Sequence, residues 1–103
     1  MKINNTNISN YYSELNKLSL KEQSYDEFFE IVNKIIHEIK SLLNTTEDAS
    51  LKIKYESLIR ALSHTNTQEV SYIKAAEKSK SKKQYQSAYD KALQRIHSDL
   101  LAL

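Results

Sequence analysis

The three histidines of this chain are the first side chains to test for chemistry, because imidazole is a common metal ligand and acid–base catalyst. His37, His64 and His97 are so spaced that no two of them lie within four residues of each other. A di-metal site in a helical bundle uses Glu-x-x-His on facing helices. The residues three positions before the histidines are lysine, alanine and glutamine. The sequence therefore predicts no metal site, and we expect the histidines to be structural or exposed to solvent.

Nucleophiles and phosphate-binding loops are equally hard to find. The chain has no cysteine and no glycine, which excludes thiolate chemistry and the glycine-rich loops that cradle phosphates. Its serines occupy no recognisable nucleophile setting, and its 13 carboxylates stand mainly at predicted helix starts or on polar helix faces. Charged side chains in such places are usually just solvated. We therefore predict that the protein is not an enzyme and binds no cofactor.

A lysine-rich segment beside two tyrosines gives the strongest binding signal. The predicted partner-binding residues are Lys78, Lys80, Lys82, Lys83, Tyr85 and Tyr89. Lysines neutralise phosphates and tyrosines stack on bases, so the wider region 74–95 predicts nucleic-acid binding as one alternative. A surface of lysine and tyrosine also suits an acidic protein. The simplest alternative is a solvated lysine turn, with the tyrosines packed at the edge of a core.

The elements that must position these side chains follow from the composition. The 103 residues include no glycine and no proline. Turns of types I′, II′ and II need positive φ angles, which glycine adopts most easily, so a hairpin-rich β protein is hard to build from this chain. Helices joined by short polar turns need no glycine. The sequence therefore predicts an all-α protein, a small antiparallel bundle of four to five amphipathic helices.

Apolar residues recur at helical spacing in five segments. The predicted helices span about residues 9–20, 24–43, 46–62, 67–78 and 82–101. In the clearest segment, Ser24 and Glu27 form a capping box, and apolar side chains follow at four- and three-residue spacing. These side chains are Phe28, Val32, Ile35, Ile39 and Leu42. Thr46 is the predicted N-cap of the third helix. The polar run 63–68 and the lysine-rich run 78–82 are predicted breaks.

The ten N-terminal residues are polar, and we predict a flexible tail over 1–10 and one helical-bundle domain over 11–103. No apolar run approaches the roughly 18 residues of a membrane span, so we predict no such span and expect a cytoplasmic protein. Residues 1–50 carry a net charge of −3 and residues 51–103 a net charge of +5. Such a split either draws the two halves together or sets an acidic face against a basic one for a partner.

These observations favour a non-enzymatic module that binds another protein, of unknown identity, through a helical surface. Inhibitor or immunity protein, secretion chaperone and small regulatory subunit are the roles we consider; small bacteriocin immunity proteins are similar in size and helical content. The first alternative is a small nucleic-acid-binding regulator that uses the basic 74–95 region. The second is a self-assembling protein, for which a homodimer through Ile53, Tyr55 or the end at 100–103 is the simplest form.

Overall fold

The computed structural model describes residues 3, 5–18, 25–78 and 82–103. These residues form four helices: α1 (Thr6–Leu18), α2 (Tyr25–Thr45), α3 (Ala49–Lys78) and α4 (Lys82–Leu100). No strand occurs among them. The prediction of a small all-α bundle is confirmed.

Each helix packs against the next along the chain, and α1 also contacts α4, which closes the ring. The three-residue connection 46–48 makes α2 and α3 antiparallel, and Asn66 of α3 is bonded to Asn33 of α2 near the middle of both helices. About one turn further along α3, Glu69 is paired with Arg95 of α4. The arrangement is therefore an up-and-down bundle.

The core takes buried side chains from all four helices, and most of them belong to α2 and α4, whose apolar stripes the sequence pattern predicts. The α2 stripe places three side chains with no exposed surface, Phe28, Ile35 and Ile39, at the centre of the bundle. On α4, Tyr89 and Ile96 are equally buried. Because each buried side chain of this size contributes roughly 1.5–3 kcal/mol, these stripes are what hold the short helices together.

Two helix starts differ from the predicted ones. The α1 helix begins at Thr6, where the side-chain oxygen of Asn5 accepts a hydrogen bond from the Ile8 amide at 3.0 Å. The predicted tail is therefore wrong for residues 6–10, which are helical, and Ile8 is buried in the core. The rest of the division into a tail and one domain stays a prediction. Ser24 of the predicted capping box lies outside the described residues.

The N-cap of α3 is Asp48 and not Thr46. One oxygen of the Asp48 carboxylate accepts hydrogen bonds from the amides of Ser50 at 2.8 Å and Leu51 at 3.2 Å. The Thr46 hydroxyl oxygen accepts a hydrogen bond from the Asp48 amide at 3.3 Å, so Thr46 binds the N-cap residue and not an amide of the helix itself. A carboxylate also interacts favourably with the positive end of the helix dipole, which explains why the aspartate takes this position.

The predicted break at 63–68 does not occur, because α3 is one continuous helix of 30 residues. The Thr67 hydroxyl donates to the Ser63 carbonyl at 2.7 Å, one turn back along the helix. The Asn66 side chain bonds to α2 instead of capping a new helix. The Thr67 hydroxyl thus bonds within α3 and the Asn66 amide bonds to α2, so neither group starts a new helix. At the other predicted break, α3 ends at Lys78, α4 begins at Lys82 and the two helices pack against each other, while residues 79–81 lie outside the described residues.

The helices differ in length, which leaves part of the inner face uncovered. At 1.5 Å per residue, α3 is about 45 Å long and α4 about 28 Å, and the longest dimension of the molecule is 48 Å. The α2–α3 pair therefore runs past the ends of α1 and α4. Leu42, Leu51 and Tyr55 lie in this overhang and are only half-buried.

Candidate functional site

A groove runs between α2 and α3 on the outer side of the bundle. It has a volume of about 400 Å³, and it is lined by Lys40, Leu43, Asn44, Glu56, Ile59 and Arg60. The i, i+3, i+4 spacing on each helix places these side chains on one face of α2 and one face of α3. The half-buried Leu43 and Ile59 supply its apolar lining, and charged side chains of both signs stand around them.

Two exposed apolar side chains flank this groove along the helix axes. Ile53 is 69% exposed and lies one turn before Glu56 on α3. Phe29 is 40% exposed and lies on the face of α2 that continues, at four- and three-residue spacing, to Lys40 and Leu43. We call this surface, defined by Phe29, Leu43, Ile53 and Ile59, the outer seam. Among the described residues only one further large apolar side chain, Tyr72, is exposed.

Hydrogen bonds fix both ends of the outer seam. At one end, the Asn66 amide donates to the Phe29 carbonyl at 3.3 Å and to the Asn33 side-chain oxygen at 3.2 Å. At the other end, Asp48 caps α3, and the Thr45 hydroxyl donates back to the Ser41 carbonyl at 3.1 Å. The Asn66 bonds join α2 to α3 at one end and the short connection 46–48 joins them at the other, so the seam is a preformed surface.

A second groove lies on the outer face of α4. It has a volume of about 600 Å³, and it is lined by Lys83, Gln86, Ser87, Asp90, Lys91 and Gln94. All six residues are polar and belong to one helix. The Gln86 amide donates to the Asp90 carboxylate at 2.9 Å within this face. The larger groove is therefore a solvated helix surface with no apolar lining.

The predicted partner-binding residues divide into two groups. Lys78, Lys82 and Lys83 are exposed at the end of the bundle where α3 meets α4, and Lys80 lies outside the described residues. We call this end, with Lys74, Lys78, Lys82 and Lys83, the basic end. Lys74 lies 5.6 Å from the centre of the Tyr25 ring, a cation–π distance.

Tyr89 belongs to the core and not to a binding surface, which corrects its predicted role. Its side chain has no exposed surface, and its hydroxyl donates to the Leu15 carbonyl at 3.3 Å. The Phe28 ring meets it edge-on, with centroids 5.0 Å apart. Tyr85 is half-buried, 5.7 Å from the Tyr89 ring. The two tyrosines therefore pack against each other, and the buried Tyr89 ring offers no face on which a base could stack.

The residues considered for self-assembly differ in how exposed they are. Ile53 is largely exposed, whereas Tyr55 packs partly against the core. Leu100 is completely buried, and Leu103 is partly buried against the same core. The C-terminal end thus closes the bundle, which corrects the expectation that it offers a free apolar surface.

A buried polar cluster in the middle of α3 escaped the sequence analysis. Thr65, Asn66 and Glu69 are at most 4% exposed. Glu69 is paired at 3.3 Å with Arg95, whose side chain is 49% exposed. One carboxylate oxygen of Glu69 and the side-chain oxygen of Asn66 have no hydrogen-bond partner among the described residues. The signal was present in the sequence, since the α3 stripe through Leu62 continues at helical spacing to these positions.

Among the described residues, the histidines differ in exposure and two groups have a raised pKa. His37 and His64 are exposed, and the His97 ring lies 5.1 Å from the Tyr12 ring. Burial raises the pKa of Tyr12. Burial also raises the pKa of Asp99, and the nearby Arg95 charge opposes that rise. Within the described ranges, no group of three or more histidine and carboxylate side chains is placed to hold a metal ion.

The chain matches no protein-family model, and its comparison with curated proteins and with solved structures finds no match. In the part of the chain that the structure describes, no helix combines the length and the apolar character needed to cross a membrane.

Proposed function

We propose that this chain is a non-enzymatic protein-binding module and that the outer seam is its binding surface. The observation that carries the proposal is the position of Phe29 and Ile53. Two of the three large apolar side chains exposed among the described residues lie on the two helices that form the groove, beyond its ends. Single exposed apolar residues are common on proteins, but several of them near a groove with an apolar lining and a charged rim are typical of an interface.

The composition of the outer seam fits an interface of moderate strength. Its apolar centre would lose water on binding, which is worth roughly 25 cal/mol for each Å² of apolar surface. Lys40, Glu56 and Arg60 stand at its rim, where charges contribute more to specificity and association rate than to affinity. Inhibitor, secretion chaperone and regulatory subunit are the roles we propose for such a module, in the cytoplasm.

Capture experiments with paired variants test this proposal. The chain, tagged at its N-terminus through a flexible linker, is used as wild type, as Ile53→Glu and as Tyr72→Glu. Tyr72 is 55% exposed and lies 13 residues after Ile59, about 20 Å along α3, so it is a matched control outside the groove. We expect a stoichiometric bound protein with the wild type and with Tyr72→Glu, and its loss with Ile53→Glu. Equal recovery in all three would refute the seam as the binding surface.

Nucleic-acid binding through the basic 74–95 region is the second proposal, and the exposure of Lys78, Lys82 and Lys83 favours it. The buried Tyr89 leaves lysine–phosphate attraction as its main source of affinity, so binding would fall steeply with salt. Fluorescence anisotropy with labelled DNA and RNA tests this, using a variant with the three lysines changed to glutamine. The absence of wild-type binding at low salt would rule the proposal out.

A further inference from the structure

The middle of α3 differs from its two halves in what it places in the core. Leu62 packs into the apolar core from the first half of the helix, and Ile73 packs into it from the second half. These two residues are about 17 Å apart along the axis. Between them, the side chains that α3 buries among the described residues are polar, namely Thr65, Asn66 and Glu69. The two halves of α3 are therefore held by separate apolar contacts.

Two buried oxygen atoms of this polar segment accept no hydrogen bond from the described residues. They are the side-chain oxygen of Asn66 and one carboxylate oxygen of Glu69. A buried acceptor without a donor costs free energy, because it has lost its water and gained no partner. Asn66 and Glu69 are also the first and fourth residues of a capping box, a motif that starts a helix. In that motif the Asn66 oxygen accepts from the Glu69 amide, and the Glu69 carboxylate accepts from the Asn66 amide.

We infer that α3 is a two-state helix, continuous in its major state and broken at Asn66 in a minor state in which this capping box closes. The break gives a donor to each of the two buried oxygens. It does not compete with the tertiary bonds of the same side chains, because those bonds use other atoms. The Asn66 nitrogen is bonded to α2, and the second Glu69 oxygen is paired with Arg95.

The backbone groups released by the break also find partners. The amides of Thr67 and Gln68 lose their acceptors one turn back along the helix. Both residues are exposed, so water can accept from these amides. The released acceptors are the Ser63 and His64 carbonyls, and the Thr67 hydroxyl already donates to them at 2.7 Å and 3.2 Å. Back-bonding of this kind weakens and bends helices, so the break falls where the helix is already weakened.

The break lies between the two surfaces that are proposed to bind partners. Ile53 and Ile59 of the outer seam precede Asn66, whereas Lys74 and Lys78 of the basic end follow it. A break at Asn66 changes the angle between these surfaces, and a ligand that fits one angle better shifts the equilibrium toward that state. The break itself does not depend on the proposed function, because it follows from the side chains of α3 and their contacts.

Hydrogen exchange of the wild-type chain, measured by NMR and corrected for intrinsic rates, is the first test. The amides in the middle of a continuous helix are normally the best protected. Here the Thr67 and Gln68 amides should exchange at least about tenfold faster than those of Leu62 and Ile73. Urea should change these two rates little, because a local break exposes little surface. Equal protection of all four amides, as an internal water bound to the two oxygens would produce, would overturn the inference.

Two small side chains at position 66 separate capping from a general weakness of the helix. Asn66→Ser and Asn66→Ala both remove the bonds from the Asn66 nitrogen to α2, but only serine keeps an oxygen that can cap. The Thr67 and Gln68 amides should exchange at least about fivefold faster in Asn66→Ser than in Asn66→Ala. Ser63→Ala, at an exposed site of α3, measures the part due to helix propensity, about two- to threefold. A ratio at position 66 no larger than this one would overturn the inference.

Proline substitutions test the broken state by stabilising it. Proline is favoured at the first position of a helix but disrupts a helix interior, where it lacks an N–H and clashes with the carbonyl four residues back. Thr67 is the first residue after the proposed cap, whereas Ser57, also exposed, follows Glu56, which is not a capping residue type. Ser57→Pro should lower the melting temperature by more than about 10 °C, and Thr67→Pro by less than half as much.

Equal losses in the two proline variants would overturn the break at Asn66. If Ser57→Pro does not fold at all, a folded Thr67→Pro supports the break, and an unfolded Thr67→Pro counts against it. The exchange rates of the wild type need no substitution, so they decide the question even if both proline variants fail to fold.

Discussion

The two outer grooves of this bundle differ in a way that volume alone does not reveal. The groove on α4 is the larger, at about 600 Å³, but six polar side chains of a single helix line it. The groove between α2 and α3 measures about 400 Å³ and has an apolar lining with exposed apolar neighbours. A seam between two helices collects the edges of both apolar stripes, whereas the outer face of one helix presents only its solvated side.

Aromatic residues near these two surfaces show the same contrast. Tyr89, close to the basic end in sequence, is turned inward and packs against Phe28. Phe29, next to Phe28 in sequence, is turned outward and partly exposed on the outer seam. A rotation of about 100° per residue separates a core side chain from a surface one. Variants at α4 should therefore change stability, and variants at the outer seam should change binding.

The largest expected effect tests the α4 side of this contrast. Tyr89→Ala removes a completely buried ring, its edge-on contact with Phe28 and its hydrogen bond to Leu15. The free energy of unfolding should fall by about 3–5 kcal/mol. Urea denaturation followed by circular dichroism measures it. Tyr89→Phe, which keeps the ring, should lose only about 1 kcal/mol. If Tyr89→Ala lowers the free energy of unfolding by less than about 1 kcal/mol, the ring is not in the core.

The next effect concerns Arg95, which reaches from the exposed face of α4 to the buried Glu69. Arg95→Gln leaves a buried carboxylate without its charged partner, so stability should fall, by about 1–3 kcal/mol because half of the arginine side chain remains in water. The double variant with Glu69→Gln should recover most of this loss, since no charge is then buried. Urea titrations of the two single variants and the double variant measure the coupling. Additive losses would show that the pair is not coupled.

A smaller change in stability, and a large one in binding, is expected at the outer seam. Ile53→Glu replaces a side chain that is mostly in water, so the free energy of unfolding measured at low protein concentration should stay within about 0.5 kcal/mol of the wild type. Ile59 lies about 120° round α3 from Ile53. Ile59→Glu should be more destabilising because Ile59 is partly packed against the core. If Ile53→Glu destabilises the monomer as much as Ile59→Glu, Ile53 is a packing residue and the contrast with α4 fails.

Helical periodicity predicted most of this fold, because α2 and α4 have apolar stripes without polar interruption. It failed in α3, where the stripe passes through Thr65, Asn66 and Glu69. Thr65 and Asn66 are also good N-caps, and a single sequence cannot show that Asn66 bonds to Asn33 and that Glu69 pairs with Arg95 on other helices. Local signals compete with tertiary ones here, and the tertiary contacts decide the structure.

The candidate site was only partly predictable for a similar reason. Ile53 stood out because it falls off its own stripe, and the structure exposes it. Phe29 did not stand out, because in the sequence it widens the apolar stripe of α2 next to Phe28. Only the position of α3 in the structure shows which edge of the α2 stripe stays exposed. Tyr85 and Tyr89 drew attention by their closeness to lysines in sequence, but their direction depends on α1, whose Leu15 carbonyl receives the Tyr89 hydroxyl.

The smallest expected effect concerns Asp99, near the C-terminal end of α4. Burial raises the pKa of this carboxyl, and Arg95 only partly opposes the rise. A raised pKa in the folded state means that folding favours the neutral form, so the contribution is fully present below the pKa of the unfolded chain and is lost as pH rises through the folded value. At neutral pH the charged Asp99 therefore opposes folding, as does any negative charge near a helix C-terminus.

Asp99→Asn should raise the melting temperature slightly at pH 7 and leave it unchanged well below the carboxyl pKa. Binding through the outer seam should not respond to this change, because Asp99 lies on a different helix. An equal gain in melting temperature at both pH values would mean that the charge of Asp99 is not the cause.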